Sequence, residues 1–125
     1  MTILFKETVS AAALWTYLCD VKKGQTYAFS ASGKWTDWFI DSDANGYERF
    51  WLKPFASRKR MPKEKWFALI GVVDKDMATA FKIGTEKVWP ATATGKLWCF
   101  ANDDLSRYGN NKGTIEVSGR STSVE

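Results

Sequence analysis

Short apolar stretches, each stopped by a turn rich in Gly, Asp, Asn or Lys, run through this chain almost from end to end, and helical periodicity is poor throughout. β-Strands give that pattern, because alternate side chains face opposite sides of a sheet and the chain leaves the sheet at each turn. Residues 26–31 are the plainest case: Tyr27, Phe29 and Ala31 share one face between the turns Lys22-Lys23-Gly24-Gln25 and Ser32-Gly33-Lys34. Residues 14–21, 35–40, 80–83, 87–89, 96–101 and 114–117 read as further strands. Residues 66–73 form an unbroken apolar run, as a strand covered on both faces requires. The stretch 7–14 has some helical character, residues 41–65 carry no period, and the polar tail 118–125 reads as frayed. About eight short strands without βαβ alternation predict an all-β fold, an antiparallel β-sandwich or jelly roll. With 125 residues, 45% of them apolar, and no linker or change of composition, the chain 1–125 is a single domain.

Composition narrows the function. Histidine is absent, so neither a Ser-His-Asp nor a Cys-His catalytic set can form. The commonest zinc and copper ligand is missing too, and any bound metal is expected to be a hard, oxygen-seeking ion such as calcium. No P-loop or GxGxxG occurs. The pair Asp103/Asp104 is misplaced for glycosidase work, since neighbours on an extended chain point to opposite faces. The chain therefore reads as a binding protein and not an enzyme. Its seven tryptophans can fill a core or stack on a sugar or a base. Cys19 and Cys99 lie in strand-like surroundings far apart, which rules out a CxxC pair; two buried thiols is the plainer reading, and a disulfide requires neighbouring strands. Much of the net charge of +4 lies in Arg58-Lys59-Arg60-Met61-Pro62-Lys63, either a solvated loop or a patch for an anionic surface. Aromatic residues do not interleave with this basic run as they do in single-strand binders, so nucleic acid is not favoured. No apolar run is long enough for a membrane span. The N-terminus meets charge before any long apolar core, unlike a signal peptide. A cytoplasmic protein, or one exported without a signal peptide, is expected, and a homo-oligomer fits this reading.

The richest candidate for binding is residues 102–113. Calcium takes about six to eight oxygens from carboxylates, amides and main-chain carbonyls. Asp103, Asn110 and Asn111 supply side-chain oxygens, the carbonyls of Ser106 and Arg107 lie nearby in sequence, and Gly109 permits a tight path. The same residue types also make an ordinary hairpin connection. A second acidic stretch, Asp41-Ser42-Asp43-Ala44-Asn45-Gly46, matches the first half of an EF-hand loop; its twelfth position is Leu52 instead of the bidentate Glu, so it reads as a turn.

The string Phe100-Ala101-Asn102-Asp103-Asp104-Leu105-Ser106-Arg107-Tyr108-Gly109-Asn110-Asn111-Lys112-Gly113-Thr114 resembles the calcium and sugar loop of the small bacterial galactose-binding lectins, whose "ND…YGNN-G-S" segment holds the metal. The likeness continues through Lys23-Gly24-Gln25, Ser30-Ala31-Ser32-Gly33, Ala68-Leu69-Ile70-Gly71 and Phe81-Lys82-Ile83-Gly84, and leaves out residues 41–65. The resemblance implies a β-sandwich that holds Ca2+ and binds a sugar whose vicinal hydroxyls complete the metal's sphere. It implies metal ligation by the carboxylate of Asp103, the side-chain oxygens of Asn110 and Asn111, the main-chain carbonyl of Arg107, and Asp37 at a corner where the family presents a main-chain carbonyl. Sugar contacts would fall to Asp37, Trp38, Asp103, Asp104, Asn110 and Asn111, with Asp104 acting through its backbone. Asp37 replaces the family's corner tyrosine. The family's His and Gln, which touch a further hydroxyl, come from the stretch where this chain differs. The metal is thus better supported than galactose. Trp38 either packs on the apolar face of a sugar or lies in the core or at a strand edge. The function implied is calcium-dependent carbohydrate binding. The alternative is a protein-interaction domain of the same fold, no longer binding sugar, that uses its basic, Trp-containing 41–65 loop.

Overall fold

The structure, a computed structural model, describes residues 2–122. Ten antiparallel strands form two sheets. The first holds β1 (Thr2–Ser10), β3 (Thr26–Ser32), β4 (Trp35–Asp37), β5 (Ile40–Ser42), β8 (Glu86–Pro90) and β10 (Asn111–Ser121), in the order β5-β4-β10-β3-β8 with β1 also on β10. The second holds β2 (Thr16–Val21), β6 (Leu69–Val73), β7 (Phe81–Lys82) and β9 (Gly95–Ala101), in the order β2-β9-β6-β7. Trp35, Phe67, Leu69, Ile83, Leu97, Ile115 and Val117 are fully buried in the main cluster. The apolar run of β6 has a second use. Ile70 and Val72 join Ala68 and Phe100 in a separate cluster covered by Trp15, Met61 and Ala80. Every residue of β6 is accordingly buried, as a doubly covered strand requires.

Three readings change. The stretch 7–14 is not helical: β1 runs to Ser10 and pairs with β10 from Ser10↔Thr114 back to Thr2↔Ser121. Phe5 and Val9 are buried four positions apart, a spacing that a helix and a strand both satisfy, and the β10 partner decides for the strand. The tail is not frayed as far as Ser121, which still pairs with Tyr27; residues 123–125 lie outside those described. The strand expected over 35–40 is a hairpin, β4 and β5, joined by Trp38 and Phe39.

Cys19 and Cys99 are free and buried. Cys99 lies opposite Thr16 and Cys19 opposite Leu97. Burial pushes the Cys19 thiol up to about 12 and raises that of Cys99, so both behave as small apolar groups.

Candidate functional site

The last turn of the sandwich is anchored by Asn102. Its backbone extends the β9 ladder, with the Phe67 N–H donating to its carbonyl at 2.7 Å and its own N–H to Ala68 at 3.0 Å. Its side chain is fully buried and reaches back to the irregular stretch. Oδ1 accepts from the Met61 N–H at 2.9 Å, and Nδ2 donates to the carbonyls of Met61 at 2.9 Å and Lys65 at 3.0 Å. Beyond it the two acids divide. Asp103 is 2% exposed, while Asp104 caps the 3-10 helix Leu105–Asn110 by accepting from the Ser106 N–H at 3.0 Å.

Asn111 is the first residue of β10 and pairs with Asp37 of β4. One step back, the Trp38 N–H donates to the Asn110 carbonyl at 3.2 Å. This pairing brings Asp37, Trp38, Asp103, Asn110 and Asn111 together from opposite ends of the chain. Asp37, Trp38, Asp103, Asp104, Arg107 and Asn110 line one cavity of about 280 Å³. Asp41 and Asp43 are not among its lining. Asp41 accepts from the Thr36 hydroxyl and Asp43 from the Asn45 N–H, so that acidic stretch is a turn.

Four buried side-chain polar atoms among the described residues lack a partner. One is the indole nitrogen of Trp35 in the core. The other three are Asp103 Oδ2, Asn110 Oδ1 and Asn111 Oδ1. Asn111 is oriented by its own nitrogen, which donates to the Ala11 carbonyl at 3.0 Å and leaves the oxygen facing elsewhere. Asp103 uses Oδ1 on the Asp104 N–H at 2.8 Å, and Oδ2 remains. A buried acceptor without a donor costs about 1–3 kcal/mol, so three at one place call for a cation or donor from outside the protein. Burial, together with the charge of Asp37, raises the Asp103 carboxyl to about 6 against the opposing Asp104 N–H and the neighbouring Asn111 amide, whose nitrogen is committed to the Ala11 carbonyl. Burial likewise raises Asp37, against the hydroxyl of Tyr47 and the charge of Arg107. Among the described residues no three His, Cys, Asp or Glu side chains converge. Two carboxylates with two amide oxygens could hold a hard cation, for which neutral carbonyl oxygens serve as well as charged ones.

Tyr47 is invisible from the sequence. It is buried, exchanges backbone hydrogen bonds with Trp66, and donates its hydroxyl to Asp37 Oδ2. Gly46 makes the approach fit: at φ +83, a Cβ there would meet the Trp66 carbonyl at 2.5 Å. Trp51, Phe55 and Arg58, from the same stretch, complete the cavity wall. The basic run beside them is not simply a solvated loop. Lys59 is buried and donates to the Glu64 carbonyl, and Arg60 lies over the Phe100 ring at 3.5 Å while donating to the Leu14 carbonyl.

Trp38 is neither core nor ladder. It is 67% exposed at the cavity mouth and holds φ +56 in the two-residue turn from β4 to β5. Bulky side chains avoid that region, which glycine fills in such turns. The strain amounts to about 1–3 kcal/mol. Trp38→Gly is therefore expected to raise stability by about 1 kcal/mol in urea unfolding; a loss would show that the indole contributes to the fold.

No protein-family model matches the chain, and no curated protein sequence matches it. Among solved structures, a chain described as "EclA N-terminal domain; PllA-like lectin" is similar, at 19% identity and a TM-score of 0.72, over 95% of this chain and 97% of that one. The fold is lectin-like. At that identity the likeness is one of fold. No helix of the lectin-like sandwich is long and apolar enough, among the described residues, to cross a membrane.

Proposed function

We propose that this chain is a calcium-dependent carbohydrate-binding protein, with Asp37, Asp103, Asn110 and Asn111 as side-chain ligands and the Arg107 main-chain carbonyl as a further oxygen. The observation that carries the reading is the set of three buried oxygens without donors. A fold similar to a PllA-like lectin supports a sugar as the ligand. Calcium, when bound, supplies a positive centre on which two sugar hydroxyls can replace water. The protein's own part is to hold the oxygens in place and to present Trp38 for stacking on an apolar sugar face. Galactose-type sugars are the first to test. A glycan array in calcium, repeated in EDTA, is expected to show retained glycans that EDTA releases. Binding of the same glycans in EDTA would refute the metal's role, and an empty array in calcium would refute the sugar.

Tyr47 orients Asp37 from behind. Partners that orient a metal's ligands typically contribute 10–100-fold to affinity. Tyr47→Phe is therefore expected to weaken calcium binding roughly tenfold. Calorimetric titration of calcium into the variant checks this; unchanged affinity would place Asp37 outside the ligand set.

A further inference from the structure

Of the six exposed aromatic side chains among the described residues, five gather around this one cavity: Trp38, Phe39, Phe50, Trp51 and Phe55. Three of them belong to the 3-10 helix Phe50–Arg58, which buries none of its residues. Beside the rings stand the exposed cations Arg49, Lys53 and Arg58. From Arg49 to Lys63 the chain carries six Lys or Arg and no acid, with Glu48 and Glu64 flanking the run, while Asp37, Asp103 and Asp104 lie within the cavity itself. We propose that this rim is a docking surface for an anionic lipid bilayer, with the rings entering the headgroup layer and the cations meeting lipid phosphates and carboxylates. The proposal shares Trp38 with the sugar-binding reading and does not depend on calcium.

Trp and Phe beside Lys and Arg is the composition of segments that lie in a membrane interface. Competing occupants fit less well. A second copy would place the same cations against each other across a two-fold axis. The core of a protein interface is depleted of charge, whereas here cations interleave with rings, Arg58 lying over Phe55 at 5.5 Å. Single-stranded nucleic acid stacks successive bases on a series of ring faces; here neighbouring rings stand across one another, Trp38 and Phe39 at 68° and Phe50 and Trp51 at 83°, and offer no parallel faces to adjacent bases.

The test is co-sedimentation of the full chain, in EDTA, with vesicles of phosphatidylcholine alone and with vesicles in which phosphatidylserine replaces part of it. Retention on the anionic vesicles only is expected, with tryptophan fluorescence quenched by brominated lipid. Lys53→Ala and Arg58→Ala should each weaken retention about fivefold. Trp51→Ser with Phe55→Ser should abolish it at an unchanged melting temperature. Asp103→Asn should leave it intact, which separates this result from the fate of the calcium reading. Equal retention on both vesicle types, no retention, or rim variants that lose a DNA oligonucleotide or self-association instead would overturn the proposal.

Discussion

At neutral pH, calcium at about a hundred times its dissociation constant is expected to raise the unfolding midpoint by roughly 10 °C, and EDTA to remove the gain. Asp103→Asn should abolish that response while moving the metal-free protein the other way. Without metal, Asp103 is a buried carboxylate whose folded-state pKa is raised from 3.8 to about 6. A raised carboxylate contributes its stability in full below about pH 4 and loses it as pH rises through about 6, where the folded state must give up a proton it holds more tightly than the unfolded chain does. Allowing for residual screening, the loss at neutral pH is about 1–2 kcal/mol. Asparagine removes the charge and keeps an oxygen for the Asp104 N–H. Metal-free Asp103→Asn should therefore be more stable than the parent at pH 7 by about that amount, and equal to it near pH 4. The calcium-induced shift of the parent should grow between pH 5 and pH 7, because the ligand is the deprotonated carboxylate. Thermal scans across pH, with and without calcium, read all of these. A variant less stable than the parent at pH 7 without metal would show that Asp103 is already satisfied by the protein.

The second large effect is expected at Asn102. Truncation to alanine leaves the Met61 N–H and the carbonyls of Met61 and Lys65 without their partner. At about 1–3 kcal/mol for each unsatisfied buried group, less what entering water recovers, a loss of about 3–4 kcal/mol follows. Urea unfolding should show a lower midpoint at an unchanged slope. Calcium affinity should fall with it, since the stapled segment leads directly to Trp66 and so to Tyr47, the partner of Asp37. A change below about 1 kcal/mol would show that the segment 61–65 is held by its other contacts, Arg60 on Phe100 above all.

Sequence reading reached the fold wherever one strand's own pattern decides it. The alternation of Tyr27 and Phe29 and the unbroken run of β6 are local facts that burial later explains. It failed where a partner decides. Phe5 and Val9 fit two periods, and only β10 selects the strand. The two-residue turn at Trp38 was hidden because its first position holds a bulky residue where glycine belongs. In the site, the consecutive acids and amides of 102–111 stood out as oxygen donors, and Asp37 came within view only through likeness to a lectin loop. That Asn102 staples, Asp103 is buried and Asp104 caps is decided by the turn's geometry, not by residue type. Trp38 and the basic, Trp-containing loop were in view as binding candidates, but Tyr47 and the gathering of Phe39, Phe50 and Phe55 around one cavity were out of reach because residues 41–65 have no period to read; their order comes from bridges such as Tyr47↔Trp66 and from contacts distant in sequence.

The central claim is that the unpartnered oxygens of Asp103, Asn110 and Asn111 face a cation. A crystal structure of the protein grown in calcium tests it directly. The account predicts a single calcium, identified by its anomalous signal, bounded by Asp103 Oδ2, Asn110 Oδ1 and Asn111 Oδ1. A map without that ion, in which an asparagine nitrogen is turned toward the Asp103 carboxylate, would contradict it.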